Sequence, residues 1–73
     1  MNITERMNKL TDGINANAAE LAQSVREGSL TIDEAAKCHC GHDAKLRIEL
    51  SAPGRVTESH ARILIQQALN GQL

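Results

Sequence analysis

The sequence predicts a mostly α fold in the order α-α-β-α, held in one small domain spanning residues 1–73. Three observations carry that expectation. An apolar stripe at helical spacing runs along the first third of the chain, and Thr31 and Thr57 each mark a later helix start. One short stretch, Lys45-Leu46-Arg47-Ile48-Glu49-Leu50, alternates strictly between charged and apolar residues.

The first helix begins at Asn2, which stands three residues before Glu5 in the spacing of a capping box. From there Ile3, Met7, Leu10, Ile14, Leu21 and Val25 recur at alternating four- and three-residue steps, with Asn17 filling one position of the same seam. That is an amphipathic helix with a heptad flavour. Gly28 supplies a left-handed stop. Gly13 is the weak point, since glycine costs roughly 1 kcal/mol relative to alanine inside a helix. The stripe keeps phase across it, so continuity is expected.

Thr31-Ile32-Asp33-Glu34 is a second capping box, with Leu30 and Ala35 placed as a hydrophobic staple. The helix it starts carries Ile32, Ala35, Ala36 and either His39 or Cys40 inward, and Gly41 is its expected end. The alternation over residues 45–50 then reads as a half-buried strand. Ser51-Ala52-Pro53-Gly54 is a turn. Thr57 caps a last helix reaching Asn70, with Ala61, Leu64, Ile65, Ala68 and Leu69 inward and Gly71 as its stop.

Composition and length bear on assembly. The chain has 73 residues and no Phe, Tyr or Trp, so its core is built without the side chains that bring the largest buried areas. Domains this small often need a metal, a disulfide or a partner subunit. A helix over residues 3–27 would be about 37 Å long at 1.5 Å per residue. A compact monomer of this size is about 25 Å across. The overhanging stripe, Ile3, Met7, Leu10, Ile14, Asn17 and Leu21, is therefore the expected interface of a homodimer. A lone strand also needs a partner, which a two-stranded ribbon between subunits would supply.

The cluster Cys38-His39-Cys40-Gly41-His42 carries the most chemistry. Thiolates and imidazoles are the ligands zinc prefers, and a tetrahedral site needs three or four of them together. Cys38, Cys40 and His42 share one side of an extended segment, and His60 is the natural fourth ligand. In a helix Cys38 and Cys40 diverge by about 200° instead. Zn2+ is the one cofactor this pattern suggests, against a competing reading of Cys40 as a small buried apolar residue. Arg47 and Arg55, ahead of the last helix, suggest a nucleotide or phosphate held at that helix's N-terminus. The plainer reading there is a turn and a cap.

Other classes are set aside by composition. Net charge is −1, and no run approaches the roughly 18 apolar residues of a membrane span. The opening residues lack a secretory signal pattern, so a cytoplasmic location is expected and the Asn2-Ile3-Thr4 sequon carries no weight. Residues 1–36 hold Arg6, Lys9 and Arg26 against six acidic residues, a balance of −3, and residues 37–73 hold five basic against three acidic, a balance of +2. The second figure is far from a nucleic-acid footprint, and the stacking aromatics of single-strand binders are missing.

The function expected is a small non-enzymatic regulatory or inhibitory protein that binds another protein as a homodimer, of the kind found among phage and mobile-element accessory proteins. The competing expectation is a ligand-binding module, zinc-stapled or holding a phosphate group through Arg47 and Arg55.

Overall fold

A computed structural model describes residues 2–73; Met1 lies outside the described residues. Three helices run up, down and up: α1 (Ile3–Arg26), α2 (Ile32–Leu50) and α3 (Glu58–Leu69). The fold is all-helical, with no strand among the described residues. None of these helices is long and apolar enough to cross a membrane.

The caps stand where the sequence puts them. Asn2 Oδ1 accepts from the Glu5 amide at 2.8 Å. The Thr31 hydroxyl accepts from the Glu34 amide at 3.1 Å, and the Glu34 carboxylate accepts from the Thr31 amide at 2.9 Å. Thr57 caps α3 through the His60 amide. These contacts satisfy amide donors that the first turn of a helix cannot pair by itself. At the other end of α1, Gly28 takes φ 80°. The Ser29 amide then reaches the Ser24 carbonyl and the Gly28 amide that of Val25, closing a Schellman turn.

α1 stays helical through Gly13, and the reason is tertiary. Leu46 of α2 lies directly over it: a Cβ at Gly13 would sit 2.5 Å from Leu46 Cδ2. The missing side chain lets the two helices approach closely.

Residues 45–50 are not a strand, and the intersubunit ribbon built on that expectation falls with it. They form the last turns of α2, which passes through Gly41 to Leu50. A six-residue alternation also satisfies a helix here. Leu46 and Leu50 are four apart and share the face toward α1, and Arg47 reaches back four residues to Asp43. Ile48, which a strand would have buried with its neighbours, is left outside at 79% exposure. A helix pairs its backbone groups internally, whereas a lone strand would leave two open edges. The actual stop is Ser51, a non-glycine residue at φ 52°, with Pro53 two residues later.

The core is made of small residues. Ala22 of α1, Ala35 and Ala36 of α2, and Ala61 and Ala68 of α3 meet around Ile65 and Val56. Ile14, Leu21, Val25, Leu30, Leu64 and Leu69 pack around this centre half-buried. Alanine at the crossing points lets three helices come together without aromatic filling. α3 belongs to one end of the bundle. Arg26, at the end of α1, donates to the carbonyls of Ala68 and Leu69, and Arg62 meets Asp33 at 2.8 Å. The molecule measures 39 × 20 × 17 Å, so it is elongated along α1.

Candidate docking site

Helix lengths build the site. α1 has 24 residues and α3 has 12. With α3 anchored beside the C-terminal half of α1, the N-terminal half pairs only with the end of α2. The result is a two-helix arm whose tip carries the most exposed part of the α1 stripe. Ile3 and Met7 are 66% and 62% exposed, and Leu10 is half-buried. Opposite them stand Leu50, Ala52 and Pro53, across an open groove of about 430 Å³. Arg6 and Arg47 complete its walls.

One wall of the groove is held by a buried ion pair. Both oxygens of Asp43, which is 1% exposed, lie 2.9 Å from Arg47 Nε. Asp43 Oδ2 also accepts from the Val56 amide at 2.9 Å, and Arg47 Nη1 donates to the Pro53 carbonyl. A guanidinium aimed at two elements and a carboxylate accepting from both fix the segment between α2 and α3 against α2. Gly54 sits at φ 94°, a conformation that disfavours any side chain, and Arg47 Nη1 lies 2.9 Å from where a Cβ would stand.

Where α1 and α2 cross, the core contains a polar pair. His39 is fully buried, with Nδ1 2.8 Å from Asn17 Oδ1 and Nε2 without a hydrogen-bond partner. Burial holds the His39 pKa below its ordinary value, against the opposing pull of Asp43. Asn17 thus meets a residue of its own chain. Ile14 and Leu21 likewise pack on the core. Of the six seam residues, Ile3 and Met7 are the ones left largely open, with Leu10 half covered.

The metal candidates are spread rather than gathered. Cys38, His42 and His60 are exposed, while Cys40 is half-buried with Sγ 3.4 Å from the Val56 carbonyl. Burial pushes the Cys40 thiol pKa up, helped by the carboxylates of Glu58 and Asp43. The turn that would have collected these ligands does not exist, because α2 continues through Gly41 and sets Cys38 and Cys40 about 200° apart. Among the described residues no three His, Cys, Asp or Glu side chains come together as metal ligands.

The two candidate anion ligands part in the same way. Arg47 is engaged by Asp43 and Pro53. Arg55 is exposed beside a shallow depression whose lining includes Asp43 and Glu58, two carboxylates that oppose a phosphate.

Sequence reasoning missed Arg6, Leu50, Ala52 and Pro53 as groove residues and Asp43 as the buried acid. The Asp43–Arg47 spacing of four was a signal, visible once residues 45–50 are read as helix. Compared with known protein families, curated proteins and solved structures, the chain matches none of them.

Proposed function

We propose that this protein acts without catalysis, as a regulatory or inhibitory protein that binds another protein through the free tip of the α1–α2 arm. The observation carrying this reading is the apolar groove between Ile3, Met7 and Leu10 and the end of α2, beyond the reach of α3. Among the described residues the groove lining is mostly apolar, with Arg6, Arg47 and Ser51 as its polar members, a composition that favours binding. Ile3 and Met7, exposed four residues apart on one helix face beside Leu10, give the tip an apolar surface that a partner would cover.

Homodimerisation is the second reading, and α1 length favours it. Built on the α1 seam, it would use the same tip, because Ile14, Asn17 and Leu21 are engaged within the chain. One experiment separates the two readings. A photo-crosslinking residue replaces Met7, or in a control Ile63 on the exposed side of α3, and adducts formed in the source cell are identified by mass. A discrete foreign adduct from position 7 alone supports docking. An adduct of the chain with itself supports the homodimer, and equal capture at both positions removes the tip as the docking element.

A further inference from the structure

The groove offers both a shape and a charge. α3 is 12 residues shorter than α1, so about 18 Å of the arm at 1.5 Å per residue lacks a third helix. The floor is apolar, supplied by Ile3, Met7, Leu10 and Leu50. Two guanidiniums stand in the walls, in different states. Arg47 is neutralised by Asp43, but half-buried Arg6 has no carboxylate within 4.0 Å among the described residues.

Resting on the reading that the tip is the docking element, we infer that its occupant is an amphipathic helix of another protein. That helix is about 12 residues long, enough to follow about 18 Å of arm at 1.5 Å per residue, and carries a carboxylate beside its apolar stripe to meet Arg6. Such a helix would lie over the groove between α1 and the returning Ser51–Pro53 segment, by the helix-in-groove mode of recognition. A second copy fits less well. A symmetric contact presents the same patch twice, and the groove lining each copy would present, among the described residues, holds arginines and no carboxylate to answer Arg6.

The test uses the whole protein, methyl- and amide-labelled for NMR, and two synthetic 14-residue helical peptides. Both carry Leu at positions 4, 7 and 11; one has Glu at position 8 and the other Lys. The expected result is saturable shifts confined to Ile3, Met7, Leu10 and Leu50. The Glu peptide should bind about 5-fold more tightly, as a partly desolvated ion pair allows. Arg6→Glu should reverse the preference; it lies in the first turns of α1, where an acidic side chain suits the helix, so the fold is retained. Equal binding of both peptides, unchanged by Arg6→Glu, overturns the acidic partner and leaves the docking tip standing. Shifts elsewhere, or none, overturn both. Concentration-dependent shifts at the tip without peptide, with a doubled mass, assign the groove to a second copy and overturn the inference.

Discussion

His39 is the residue whose environment most constrains the molecule. Its ring is fully buried, and Asn17 serves only one of its two nitrogens. The neutral form is tolerated; a second N–H and a charge would have no acceptor there. Because the folded pKa is depressed, the unfolded chain takes up a proton first as pH falls. Stability is therefore full above the ordinary histidine value of about 6.5. It declines as pH drops from there through the lowered folded value. Urea titrations at pH 7.5, 6.0 and 5.0 should show that decline, and His39→Leu should flatten it. A decline of equal size in His39→Leu would place the effect elsewhere. Glu34 acts in a lower window: its pKa is depressed by hydrogen bonds from the Thr31 amide and hydroxyl, so its contribution is full above the ordinary value of about 4.5 and is lost as pH falls from there through the lowered folded value.

At the scale of elements, two glycines inside helices differ in what surrounds them. Gly41 has nothing within 4 Å of where a Cβ would stand, so Gly41→Ala should stabilise α2 by about 1 kcal/mol, the helix-propensity difference. Gly13 faces Leu46 Cδ2 at 2.5 Å, and the same gain there is opposed by crowding. Gly13→Ala should therefore yield less than Gly41→Ala in the natural chain and recover about 1 kcal/mol in a Leu46→Ala background. Chemical denaturation of the four variants closes that cycle. Additivity between positions 13 and 46 would remove the close approach as the explanation.

For the molecule as a whole, the Asp43–Arg47 pair and the arm tip divide stability from the proposed binding. Arg47→Ala leaves a buried carboxylate without its cation and frees the segment that walls the groove. A loss of about 3 kcal/mol is expected from broken buried pairs, read by the denaturation midpoint. Met7→Lys touches only an exposed side chain, so the unfolding free energy should change by less than about 0.5 kcal/mol. Peptide binding at the tip should nevertheless be lost. A large drop in stability for Met7→Lys would make the stripe at the tip part of the core rather than a surface for a partner.

Local signals determined much of this architecture. Side-chain caps at Asn2, Thr31 and Thr57, the left-handed turns at Gly28 and Gly71, and the apolar stripe of α1 are read from neighbours three or four residues apart, and each appears in the structure. The end of α2 was not legible in the same way. Over six residues the alternation at 45–50 suits either period, and Gly41 is an equally valid stop or passenger. The choice was made by α1, whose Gly13 receives Leu46, and by Arg47, which reaches Asp43 only along a helix. The stripe of α1 likewise named Ile3, Met7 and Leu10 without showing that α2 would cover the rest of it. Which half stayed open depended on where Ala61, Ile65 and Ala68 bury a short α3 in the core, with Arg26 closing its C-terminal end, a matter of long-range contacts that no local spacing encodes.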